Sequence, residues 1–178
     1  HKYLRELPVE MMGEVQMIGG GRDLPTRWFG YGLCDVAVAT GLDPFELRPS
    51  QLAALKRWVR AGGVLVLAGS RAMPLTCQGE LAEMAGVTTS PSVHYVDRLH
   101  PRGLPGYPDG RELPLRAPLP MAELVCLDAE RIATADGLPL MTRRACGHGT
   151  VFTLAAAIGA FEDPNTHGLF RLVGQALG

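Results

Sequence analysis

Leu33-Cys34-Asp35-Val36-Ala37-Val38-Ala39-Thr40-Gly41, then a helix-forming stretch, then Gly62-Gly63-Val64-Leu65-Val66-Leu67-Ala68-Gly69-Ser70-Arg71: this segment decides the fold. The apolar runs 36–39 and 64–68 are short and nearly uninterrupted, the texture of strands buried on both faces. They flank one amphipathic segment, so the expectation is a strand–helix–strand unit of a covered parallel sheet. In the helix, Leu52, Leu55 and Val59 recur at i, i+3 and i+7 and Trp58 widens the stripe, while Gln51, Lys56, Arg57 and Arg60 lie mostly off it. Pro49 suits a first turn, Gly62-Gly63 supplies the stop, and the late basic residues complement the helix dipole. Arg48 is a weak N-cap, so Ser50 or Asp43 is expected to satisfy the first N–H groups.

Asp23-Leu24-Pro25-x-x-Trp28, Cys34-Asp35-Val36-Ala37-Val38 and Gln51-Leu52-Ala53-Ala54-Leu55-x-x-Trp58-Val59-x-Ala61-Gly62-Gly63-Val64-Leu65-Val66 together resemble the class I glutamine amidotransferase-like superfamily. Within it, they look most like divergent non-catalytic domains of bacterial membrane-anchored proteins. Gly147-His148-Gly149-Thr150-Val151-Phe152-Thr153-Leu154-Ala155 is similar to the late strand of those domains, whereas the middle of the chain matches poorly. The resemblance implies an α/β, flavodoxin-like three-layer sandwich with a mostly parallel central sheet. It also implies an extracytoplasmic location, membrane segments outside this fragment, and protein partners within an envelope complex.

At 178 residues, 47% apolar and 20% charged, the chain is enough for one domain with a substantial core. We expect a single domain over 1–178, with a loop-rich insertion at 87–120. A net charge of −1 and a pI near 6.6 give no basic footprint, which disfavours nucleic acid as a partner. No apolar run approaches the roughly 20 residues needed to span a bilayer. The start, His1-Lys2-Tyr3, reads as that of an excised fragment or processed product. Cys34, Cys77, Cys126 and Cys146 form no C-x-x-C pair, which excludes a zinc ribbon or a thioredoxin-like motif. Cys34 and Cys126 adjoin apolar runs and read as small buried hydrophobes, and the even count permits disulfides without requiring them.

Along the chain, residues 14–18 alternate as a strand does, and Gly19-Gly20-Gly21 opens a loop. No Gly-Lys-Ser/Thr follows, so this is not a phosphate cradle. Trp28, Phe29 and Tyr31 are expected to cover the sheet edge. A short helix over 79–85 closes at Gly86. From 87 to 119, prolines at 91, 101, 105, 108, 114 and 118 punctuate the chain, and only 93–99 reads as a strand. Strands follow at 124–127, 131–135, 138–143 and 150–155, with turn signals Asp136-Gly137 and Gly147-His148-Gly149 that make the last two a hairpin. A closing helix over 164–177 would take Asp163 as N-cap and place Leu169, Leu172, Val173 and Ala176 on one face.

In the family that the sequence resembles, a nucleophilic Cys sits on a sharp strand-to-helix turn. Here the turn after 64–68 offers Ala68 or Ser70, Cys77 lies beyond it, and no His-x-Glu occurs within 155–162. The expectation is a non-catalytic binding or assembly domain of a bacterial envelope protein. Two alternatives are sharper. Ala68-Gly69-Ser70-Arg71-Ala72 is a small-x-Ser-x-small elbow that would suit a serine hydrolase, with a base drawn from His94, His100, His148 or His167. In open parallel sheets, ligands bind beyond the carboxyl ends of the strands. Thr40, Gly41 and Asp43 after one strand, with Gly69, Ser70 and Arg71 after the next, would line one rim where Arg71 could hold a small anionic ligand. His94-x-x-Asp97-x-x-His100 and Cys146-x-His148 each lack a second ligand cluster, so no metal and no cofactor is expected.

Overall fold

The computed structural model describes residues 15–18, 24–32, 34–69, 72–104, 107–113, 115 and 118–156. The glycine run at 19–21, Ser70, Arg71 and the expected helix over 164–177 lie outside these residues. In chain order the elements begin with β1 (Val15–Ile18), a 3-10 turn (Trp28–Tyr31), β2 (Val36–Thr40), α1 (Pro49–Arg60) and β3 (Val64–Ala68). Two short helices follow, α2 (Met73–Thr76) and α3 (Gly79–Ala85), and then β4 (Val87–Val96), β5 (Pro101–Arg102) and β6 (Leu119–Cys126). Finally come β7 (Glu130–Ala135), β8 (Leu138–Cys146) and β9 (Gly149–Leu154).

Unbroken apolar runs fix the middle of the sheet. Every residue of β3 is buried, as are the first four of β2, so both faces of these strands are covered. The sheet has the order β1-β2-β3-β9-β8-β7-β5. β1, β2, β3 and β9 are mutually parallel, with Val36 opposite Val64 and Val64 opposite Thr150. β8, β7 and β5 then continue antiparallel. The architecture is therefore mixed α/β, and the expectation of a mostly parallel sheet is corrected. The reason is local: Asp136-Gly137 and Gly147-His148 are tight turns, and a tight turn can join only antiparallel neighbours. Asp136 and Gly137 both have positive φ, 50° and 84°, as a type I′ hairpin turn requires.

The helix α1 forms where its spacing predicts, but its buried face includes Gln51 along with Ala54, Leu55, Trp58 and Val59. Gln51 Oε1 accepts the Arg48 N–H at 2.9 Å and its Nε2 donates to the Leu24 carbonyl at 2.8 Å. Gln51 thus accepts from the N-cap residue itself, a role not expected of it, while Asp43 accepts from Phe45, and Gln51 also ties the 24–32 segment to the helix. Trp58 stacks on Tyr31 with centroids 5.3 Å apart. Gly63 passes so close beneath the indole that a Cβ there would enter the ring. Of the expected aromatic cover, only Tyr31 is buried; Trp28 and Phe29 are 39% and 60% exposed, under Arg57 and Arg27 respectively.

The proline-rich stretch yields more strand than expected. β4 starts directly after Gly86 and pairs antiparallel with β6 in a separate two-stranded sheet. Pro91 sits where the register shifts between Thr89 and Val93, a place where its missing N–H costs no ladder bond. The Ala122 N–H donates to the Ala155 carbonyl at 2.9 Å, which anchors this ribbon beside the end of β9. Leu55, Leu65, Leu67 and Phe152 centre the core, each worth about 1.5–3 kcal/mol on burial. The four cysteines form no disulfide with one another. No described helix is long and apolar enough to cross a membrane.

Candidate functional site

The carboxyl ends of β2 and β3 do come together. Thr40 lies opposite Ala68 and the Gly41 N–H donates to the Ala68 carbonyl at 3.2 Å, so Thr40, Gly41 and Gly69 share one rim. The rim is already furnished by its own chain, however. Asp43 Oδ1 accepts the Phe45 N–H at 2.8 Å in a local turn, and the Leu42 carbonyl is taken by Thr76 Oγ1 at 2.6 Å. Met73 packs on Gly69, and Ala72 stands 3.5 Å from where a Gly41 Cβ would be. Ser70 and Arg71, on which the hydrolase and anion-sensor alternatives turn, lie outside the described residues.

The other sequence candidates are dispersed. Cys77, the residue that ends α2, is buried, and burial pushes its thiol up to about 12, so at neutral pH it stays protonated and inert. His94 Nε2 lies 3.5 Å from Glu123, whereas His100 Nδ1 lies 3.7 Å from Asp136, so the His-x-x-Asp-x-x-His spacing brings no ligands together. No group of three metal-ligating side chains exists among the described residues. His148 is exposed at its hairpin tip, as its flanking glycines predict.

The structure reveals a second place that the sequence did not disclose. β5 pairs with β7 in the register Pro101 to Ala135 and Arg102 to Thr134. Pro101 and Ala135 are buried. Because side chains alternate along a strand, the register partners Arg102 and Thr134 project from the opposite face, and His100 and Asp136, just beyond the strand ends, line the same recess. Gly110 closes the block from outside, donating its N–H to the Pro101 carbonyl at 2.8 Å. The result is an open recess of about 490 Å³ lined by His100, Arg102, Gly110, Thr134, Asp136 and Gly137. Asp136 is held near His100, but no carboxylate engages the Arg102 guanidinium among the described residues. Paired i, i+2 polar residues on each segment were a faint signal. The pairing across about 30 residues of chain, through a two-residue edge strand, was not legible.

No family model matches this chain, and no curated protein is similar to it in sequence. Solved structures do match. A GH42 β-galactosidase, Gan42B, from G. stearothermophilus superposes with a TM-score of 0.59 at 17% identity, over 80% of this chain and 21% of that one. An exo-β-1,4-mannosidase from an Opitutaceae bacterium gives 0.53 at 17% identity, over 82% and 24%. A cytoplasmic protein of Salmonella typhimurium gives 0.62 at 14% identity, over 87% and 76%. The chain thus spans about a fifth to a quarter of the length of the glycoside hydrolases that it matches.

These matches correct the amidotransferase-like assignment and, with it, the reading as a non-catalytic binding or assembly domain. The strings that suggested it record a local requirement. Trp58 needs a glycine beneath it at the end of α1 and an apolar run must then enter β3, so any helix-to-strand junction packed this way would select them. What the comparisons establish is a mixed α/β fold of a kind found within glycoside hydrolases.

Proposed function

We propose a glycosidase-related function: this chain is the α/β unit of a saccharide-processing protein and takes part in handling its substrate. The observation that carries the reading is the likeness of four fifths of the chain to about a fifth of a β-galactosidase, with a mannosidase matching in the same way. Hydrolysis of a glycosidic bond by the common route needs two carboxyl groups about 5–9.5 Å apart across that bond. Here Glu80, Asp128 and Glu130 are ion-paired at the surface with Lys56, Arg144 and Arg143, and Glu123 and Asp136 lie beside His94 and His100. Carboxylates of this kind accept hydrogen bonds from sugar hydroxyls. A flavodoxin-like layering of the mixed sheet belongs to the same reading, supported by the burial of β2 and β3 on both faces.

The test is a melting series with galactose, mannose, galacturonate and the nitrophenyl β-galactoside and β-mannoside, followed together with nitrophenolate release. A ligand at about 100 times its Kd stabilises by about 2.7 kcal/mol, which for a domain of this size is a rise of about 5–10 °C. A saturable rise with at least one saccharide is the expected result. An unmoved Tm and no nitrophenolate across the panel would overturn the reading.

A further inference from the structure

We propose that the recess between β5 and the β7–β8 turn binds a uronic acid residue, a sugar ring carrying one carboxylate. The inference rests on the saccharide reading above and specifies which sugar chemistry this chain selects.

The lining residues define the ligand by what each would leave unsatisfied. Arg102 offers a planar fork of N–H donors with no carboxylate of its own among the described residues, and that fork matches a carboxylate bidentately. A neutral sugar would leave it unanswered. Asp136 stands on the same face, across from His100, and presents carboxylate oxygens that accept from hydroxyls. A compact anion such as phosphate would gain Arg102 but meet Asp136 as a like charge. Thr134, directly opposite Arg102, adds a hydroxyl that can donate or accept. One cationic fork, one carboxylate and one hydroxyl on a single face therefore call for a ligand with one acid group and several hydroxyls.

Size and rigidity agree. A volume of about 490 Å³ admits one or two sugar rings. The block is set by strand register and by a type I′ turn, which fix the backbone from which these side chains leave. Asp109 Oδ1 accepts the Gly103 N–H at 2.7 Å, which holds the 107–110 segment against the end of β5.

The experiment is calorimetric titration of the protein with D-galacturonate, D-galactose and inorganic phosphate, repeated with Arg102→Ala, Arg102→Lys and Asp136→Asn. Arg102 is exposed on an edge strand, and an unchanged melting temperature confirms that its variants fold. Galacturonate should bind the wild-type protein at least tenfold more tightly than galactose. Arg102→Ala should weaken it at least tenfold, with smaller losses in Arg102→Lys, which keeps the charge and loses the fork, and in Asp136→Asn. Equal affinity for galactose, full affinity in Arg102→Ala, or displacement by phosphate at equal concentration would overturn the assignment. Neutral saccharides that bind both wild type and Arg102→Ala, with galacturonate no tighter, would refute this recess while leaving the saccharide reading intact. Galacturonate bound through Arg102, with no response to galactosides or mannosides, would uphold the recess and narrow the saccharide reading to acidic sugars.

Discussion

At the scale of single residues, the structure separates polar groups that are used from those that are merely enclosed. Gln51 is buried and fully employed, with both ends of its amide bonded to backbone. Thr142 and Thr153 face each other across β8 and β9, both wholly buried, and neither hydroxyl has a hydrogen-bond partner among the described residues. A buried hydroxyl without a partner costs about 1–3 kcal/mol, and valine keeps the branched shape that a strand favours. Thr142→Val and Thr153→Val are therefore each expected to raise the stability measured by urea unfolding, by about 1 kcal/mol. A loss in both variants would show that these hydroxyls are bonded in solution.

The elements are joined at a few backbone positions that admit one residue type. Gly86 closes α3 in the left-handed region, at φ 64°, and its carbonyl accepts the N–H groups of Leu127, Asp128 and Ala129. A Cβ there would press on Asp128 and Arg144, which are themselves ion-paired at 2.6 Å. Helix stop, strand start and a cross-link to the β6–β7 connection all pass through this one residue. Gly86→Ala should cost about 1–3 kcal/mol through the positive φ and the displaced ion pair, read as a lower urea midpoint. Repeating the measurement in Gly86→Ala/Asp128→Ala apportions the loss. Recovery of most of it would assign it to crowding, and no recovery would assign it to the backbone conformation.

Across the whole molecule, burial also sets a pH dependence. The Cys77 thiol is pushed up by burial from an ordinary value of 9.0 to about 12. Tyr31 is raised too, by burial first and then by the neighbouring Cys34 sulfur. In that window, the unfolded chain has lost protons that the folded chain keeps, so the native state binds more protons and stability falls as pH rises. The contribution is intact below pH 9, erodes from there to about 12 and levels off above the folded value. Cys77→Ala should flatten this decline, although its small cavity lowers stability somewhat at pH 7. Urea midpoints at pH 7 and at several points above 9 would show it, and parallel declines in the two proteins would rule Cys77 out as the source.

The sequence by itself determined the elements whose causes are local. The apolar runs of β2 and β3, the stripe of α1, the glycine stop of α3 and the Asp136-Gly137 turn all act over a few residues, so pattern and turn chemistry suffice to read them. Extended pairing in the proline-rich stretch was less legible, because Pro91 looks like a breaker until β6 supplies a partner and the register slips around it. The rim residues Thr40, Gly41 and Gly69 could be placed together from strand order alone. That Asp43 is spent on a local turn, and that Met73 and Ala72 pack over the glycines, followed only from tertiary packing. The recess holding His100, Arg102, Thr134 and Asp136 is likewise a product of register between segments far apart in the chain. A one-residue slip of β5 against β7 would turn that block to the other face, and nothing in the local sequence sets the register.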